Sequence, residues 1–289
     1  MDALQWESRP GPLRDPVMVA AFTGWNDAAS AASSALAFVG QQLEATRVAR
    51  IEADDFYDYQ ATRPQVDLSE PGAHTLTWPD VEVAVGRPAD AARDLVLVSG
   101  AEPSMRWRGF CDTVLGLAAE VGAGTVVTMG ALLADVPHTR PVRLTGMATD
   151  RELLGGMGMR EPAYKGPTGI VGVLHHEAAR RGLGAVSLWA PASHYAAGIT
   201  NTKAALALVR GLETVTGLSF RATALEGPAL AFERQVSRAV DADPRLRGLV
   251  EQLEQAADAE GPFEPGPLPS GDDLARELER FLREQGGEQ

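Results

Sequence analysis

Thr125-Val-Val-Thr-Met129 runs directly into Gly130-Ala-Leu-Leu-Ala-Asp-Val-Pro-His-Thr-Arg-Pro141. The first five residues form an apolar, β-branched run, which is the pattern of a strand covered on both faces. The segment behind it carries Asp135, His138 and Arg140, with Pro137 and Pro141 setting its path. In an open α/β sheet, polar groups just past the carboxyl end of a strand lie where ligands and partners dock. The chain repeats this arrangement.

Val17 to Phe22 is a short apolar strand followed by Thr23-Gly-Trp-Asn-Asp27, and Ala28 to Leu43 then has helical spacing. Val48 to Ala53 is the next strand and leads into Asp54-Asp-Phe-Tyr-Asp-Tyr59. Thr75 to Trp78 and Val81 to Val85 flank Pro79-Asp80, which predicts a hairpin. Leu95 to Ser99 is a buried strand, and Trp107 to Val121 is a helix closed by Gly122. Gly169 to Arg181 is a helix, Ala185 to Trp189 a strand, and Thr202 to Val215 a helix. Strands separated by helices of this length imply crossovers and a mostly parallel, mixed sheet between helical layers.

After Gly217 the character changes. Residues 229–258 have helical apolar spacing through Phe232, Val236, Val240, Leu246, Leu249 and Leu253. A Pro- and Gly-rich linker follows at 261–269, and Ser270-Gly-Asp-Asp273 caps a last helix at 274–284. The reading is an α/β core over 1–218 and a helical appendage over 219–289.

Composition excludes several function classes. The chain has 289 residues, 45% of them hydrophobic and 22% charged, as in a folded globular protein. Its 39 acidic against 26 basic residues give a net charge of −13, which disfavours nucleic acid and anionic membranes. There is no eighteen-residue apolar run and no signal-peptide pattern at the N-terminus. The single cysteine, Cys111, sits inside an apolar helix pattern and suits a reducing, cytoplasmic setting. His176-Glu-Ala-Ala-Arg180 has Arg where a zinc protease places its second His. The Gly-x-Ser-x-Gly elbow and the phosphate-binding Gly-x4-Gly-Lys pattern are absent, and Gly156-Met-Gly158 follows no strand. No metal and no cofactor is expected.

Four loops follow the four parallel-strand candidates, and if those strands are neighbours the loops open on one edge of the sheet. They contribute Asn26, Asp27, Glu102, Ser104, Arg106, His138, Arg140, His194, Tyr195, Asn201 and Lys203. Plain structural roles compete for several of them: Asn26 as a helix N-cap, Asp27 on the helix dipole, and Arg140 paired with Asp135. Two functions fit the set. One is a non-catalytic protein that binds partners through these loops or the appendage. The other is a hydrolase- or phosphorylase-like enzyme acting on a small polar substrate. Glu102 or Asp27 would then be the general base, while His138 and Arg140 stabilise negative charge. The missing nucleophile and cofactor motifs favour the first. Phe56, Tyr57, Tyr59 and Trp78 near loops predict exposed apolar surface and self-association.

Five segments resemble the proteasome assembly chaperone 2 family, and within it the actinobacterial branch. They are Phe22-Thr-Gly-Trp-Asn-Asp-Ala28, Gly100-Ala-Glu-Pro-Ser104, Gly130 to Pro141, Tyr164-Lys-Gly-Pro-Thr-Gly169 and Leu188 to Ala204. The resemblance spans roughly residues 10–218. It implies a three-layer α/β/α fold similar to nucleoside phosphorylases, self-association that could be trimeric, and, for some relatives, a role in assembling proteasome rings. Ser193 and Thr202 stand where the family often has Pro, and the last residues, Gly286-Gly-Glu-Gln289, differ from the hydrophobic-Tyr-any tail of some relatives.

Overall fold

The computed structural model describes residues 3–52, 54–68, 75–89, 91–154, 159 and 164–259. In chain order the strands are β1 (Leu4–Trp6), β2 (Val17–Thr23), β3 (Thr46–Ile51), β4 (Gln65–Asp67), β5 (Thr75–Thr77), β6 (Val81–Gly86), β7 (Leu95–Ala101), β8 (Thr125–Ala134), β9 (Thr145–Ala148) and β10 (Gly184–Ser193). The helices are α1 (Ala31–Gln42), α2 (Trp107–Val121), α3 (Ile170–Arg180), α4 (Thr202–Thr216), α5 (Glu226–Ala242) and α6 (Pro244–Ala259).

Eight strands form one sheet in the order β1-β3-β6-β7-β2-β8-β10-β9. The middle four, β7-β2-β8-β10, are mutually parallel, and the flanking strands are antiparallel. Strand alternation divides the core into two layers. Met18, Ala20 and Phe22 of β2 pack with α2 and α3, and Val17, Val19 and Ala21 pack with α1 and α4. The result is a three-layer α/β/α fold. Because α1 and α2 lie on opposite faces, β2 and β7 diverge into a crevice at their carboxyl ends, the switch-point geometry of open α/β sheets.

Several elements differ from the sequence expectation. Val81–Gly86 makes no hairpin with Thr75–Thr77. It lies between β3 and β7, and Thr75–Thr77 pairs instead with Gln65–Asp67 in a separate two-stranded ribbon. Val81, Val83 and Val85 are buried, so β6 needed a neighbour on each side, whereas the ribbon is exposed throughout. The span 229–258 breaks into two helices at Asp243-Pro244. Asp243 takes the extended backbone that a following proline favours, and its carboxylate accepts the Arg245 N–H at 2.8 Å. The helix expected over 28–43 begins as a 3-10 turn at Ala28–Ser30, where Ala29 and Ser30 are left-handed. β8 and β10 are each ten residues long, so Leu132 and Leu133 extend a strand and are not loop. Phe56 and Tyr57 are buried, Phe56 edge-on against Phe110, and so do not form exposed surface. The 261–269 linker and the 274–284 helix lie outside the described residues.

Candidate functional site

The four loops after β2, β7, β8 and β10 open on one edge, because those strands are parallel neighbours. The polar residues there separate into two internal knots.

Glu102 centres the first. One carboxylate oxygen accepts the Asn26 side-chain N–H at 2.6 Å and the Ile170 backbone N–H at 2.9 Å, and the other accepts the Trp25 backbone N–H at 3.2 Å. The carboxylate therefore sits at the N-terminus of α3, where a helix favours an anion. It also clamps the β2–α1 loop. Asn26 is 1% exposed and lies against Gly169, where a Cβ would come within 2.1 Å of its side-chain nitrogen. Its Oδ1 is buried without a partner. Asn26 does not cap α1 as expected; Asp27 does, accepting the N–H groups of Ala32 at 2.8 Å and Ser33 at 3.1 Å. The β2–β7 crevice is a cleft of about 430 Å³ lined by Thr23, Gly24, Thr62, Glu102, Ser104 and Trp107. Ser104 and Arg106 are exposed on its rim, with Arg106 paired to Asp55.

His138 centres the second knot. Its backbone N–H donates to the Tyr195 hydroxyl at 2.9 Å, and the two ring nitrogens are each hydrogen-bonded, Nδ1 to the same hydroxyl at 2.9 Å and Nε2 to Ser237 Oγ at 3.0 Å. Burial holds the imidazole below its ordinary pKa, opposed by Glu233. Lys203 donates to the His138 carbonyl at 2.6 Å and pairs with Glu233. Arg140 does not pair with Asp135. It forms a two-pronged pair with Asp258 at 2.7 Å for each bond and reaches Glu254 at 3.3 Å. Asp135 instead faces His194 at 3.1 Å. Asn201 caps α4 through the Ala204 N–H at 2.9 Å. These groups are thus the seat on which α5 and α6 dock, and a small apolar cluster of Phe232, Val236, Val240 and Val250 completes it. The sequence signal for this seat was the Glu233, Ser237, Glu254 and Asp258 side of the appendage helices, which the strand-end reading did not connect to His138 and Arg140.

Apolar side chains also face solvent at this end. Trp25 (65% exposed), Met105, Leu132 and Leu133 all lie at or just past the carboxyl ends of parallel strands. The β4–β5 ribbon rises from the same end, because β6, which follows it, begins opposite Gly100 of β7. Among the described residues no cluster of His, Cys, Asp and Glu could hold a metal ion, and no helix is long and apolar enough to cross a membrane.

A mixed eight-stranded sheet between two helical layers, with these loops gathered at the carboxyl end of its parallel strands, defines the structural class. The comparisons narrow the class: the PAC2 family profile matches residues 21–240, and the chain belongs to that family. A PAC2 family protein from Streptomyces avermitilis is 43% identical over 82% of this chain and 100% of its own, with a TM-score of 0.75. A proteasome-assembly chaperone homologue from Mycobacterium tuberculosis is 40% identical over 81% of this chain and 99% of its own, also with a TM-score of 0.75. An archaeal proteasome activator from Pyrococcus furiosus shares the fold at 22% identity and a TM-score of 0.66, over 83% of this chain and 99% of its own. No curated protein matches.

Proposed function

We propose that this chain is a non-catalytic, homo-oligomeric interaction protein of the assembly-chaperone kind, linked to proteasome assembly in the cytoplasm. In this reading it engages its partner through the carboxyl end of its parallel strands. One observation carries the proposal: that end ties Asn26, Asp27, Glu102, His138 and Arg140 into internal contacts and leaves Trp25, Met105, Leu132 and Leu133 facing solvent. The Glu102 carboxylate accepts three N–H donors, which hold it in place as part of the scaffold. Asp27 is committed to the start of α1, and His138 and Arg140 are covered by α5 and α6. The partner class comes from relatives described as a proteasome-assembly chaperone homologue and a proteasome activator.

The test mixes the purified chain with actinobacterial 20S core particles, and separately with unassembled α and β subunits, and follows complexes by sedimentation. Co-migration with subunits or rings is expected. No complex with either, together with a thermal shift of several degrees from nucleosides or sugar phosphates, would favour the enzyme reading instead.

A further inference from the structure

Among the described residues that line the cleft between β2 and β7, Glu102 is the one ionisable side chain. Thr23, Thr62 and Ser104 bring hydroxyls to it, and Trp107 an aromatic wall. Its N–H groups are largely spent. The Trp107 indole donates to the Pro103 carbonyl at 2.6 Å, and the backbone N–H groups of Glu102 and Ser104 donate to the Thr23 and Phe56 carbonyls at 2.8 Å each. An anion entering here would meet a carboxylate and little to bind it.

The carboxylate itself is not filled. It offers about four acceptor positions, two on each oxygen. The Asn26 amide and the Ile170 N–H take both positions of Oε1, at 2.6 and 2.9 Å, and the Trp25 N–H takes one of Oε2 at 3.2 Å. The second position of Oε2 has no donor among the described residues. Gly24 keeps that oxygen clear. Its φ is +130°, where L side chains are rarely found, and a Cβ there would come within 3.2 Å of Glu102 Cβ and 3.3 Å of Oε2.

We propose that this cleft binds an alkylammonium group, which donates to Oε2 of Glu102 while its alkyl chain lies along Trp107. Three donors fix the carboxylate before the ligand arrives, so little ordering is left to do on binding. A single open position suits the point charge of an ammonium. The planar fork of a guanidinium needs two oxygens side by side, and Oε1 is already full. The net charge of −13 adds attraction at longer range, and the cation on the rim, Arg106, is paired with Asp55. The inference is read from the cleft alone and holds for either source of the group, a lysine side chain of a protein partner or a free primary amine.

The test titrates the full chain with n-butylammonium chloride, with sodium butyrate and n-butanol as controls of matched size. The five tryptophan indole N–H signals are followed by NMR, and Trp25→Phe and Trp107→Phe identify the two that matter. The ammonium should shift the Trp25 and Trp107 signals with a dissociation constant of about a millimolar. Trp6 in β1 and Trp189 in β10 should stay in place. Thr62→Arg and Ser104→Arg each set a tethered cation in the cleft without removing a donor to Glu102, and each should weaken binding about tenfold or more. Unmoved Trp6 and Trp189 signals show that a variant is folded. The same titration with Nα-acetyl-lysine methylamide separates the sources: tighter binding than butylammonium supports a partner's lysine in the cleft, and weaker binding supports a free amine. No shift at about 100 mM ammonium, or an equal shift from butyrate or butanol, would overturn the site. So would folded arginine variants that bind butylammonium as the parent does.

Discussion

Glu102 illustrates how a carboxylate at the mouth of a cleft can belong to the scaffold. Two of its three N–H donors, on Trp25 and Asn26, come from the β2–α1 loop and the third from the N-terminus of α3, so losing it releases both elements together. Glu102→Gln keeps the shape but turns an amide N–H toward groups that also donate, leaving buried donors unpaired at about 1–3 kcal/mol. A urea midpoint well below the parent's is expected, and an unchanged midpoint would show that the clamp is dispensable. His138 makes a prediction in pH. Burial lowers its folded pKa, with Lys203 acting in the same direction and Glu233, Glu254 and Asp241 opposing. The unfolded chain therefore takes up the proton first, and stability falls as pH drops below the unfolded value of about 6.5. Protonation also puts a hydrogen on whichever ring nitrogen accepts in the neutral form, facing Tyr195 or Ser237. Denaturation between about pH 7.5 and 5.5 should show the parent losing stability faster than His138→Gln, which is weaker by about 1 kcal/mol at the upper end. Parallel slopes would remove His138 as the cause.

At the scale of elements, α6 is the most weakly held helix of the described chain. Val250 is its one buried residue, Leu246 packs partly buried against the same cluster, and Glu254 and Asp258 add polar contacts to Thr139 and Arg140. Ion pairs this exposed contribute little to stability. Arg140→Ala should therefore leave the melting temperature within a few degrees of the parent while speeding amide exchange across 250–258. Unchanged exchange would mean that the apolar contacts alone hold α6. The same contrast governs what the sequence discloses. Val126, Val127 and Val96, Val98 form apolar runs that only a doubly covered strand tolerates, so the four parallel strands and their shared edge were legible. The antiparallel flank was not, because Pro79-Asp80 reads locally as a turn while the pairing of β6 is decided by distant neighbours. The break at Pro244 was available in the residue itself, masked by apolar spacing that continues on both sides of it. The candidate residues were located on the right edge. Their inward engagement depended on acids about a hundred residues away, which no local pattern conveys.

At the scale of the whole molecule, charge and apolar surface are opposed. A net charge of −13 keeps copies apart over most of the surface, while uncharged side chains cluster at one end of the sheet. If association uses that end, long-range repulsion works against it and short-range burial works for it. Salt screens the first far more than the second, since the Debye length contracts from roughly 20 Å in dilute buffer to a few ångströms in concentrated salt. Raising sodium chloride from about 20 mM to about 500 mM should therefore tighten self-association, seen in sedimentation as a dissociation midpoint shifted to lower protein concentration. An interface held by ion pairs, such as one built on the exposed partners Arg106 and Asp55, would loosen over the same range. The sign of the salt response thus separates the two kinds of contact without any mutation. An oligomer that dissociates as salt rises would place the interface on charged pairs and not on the exposed apolar side chains.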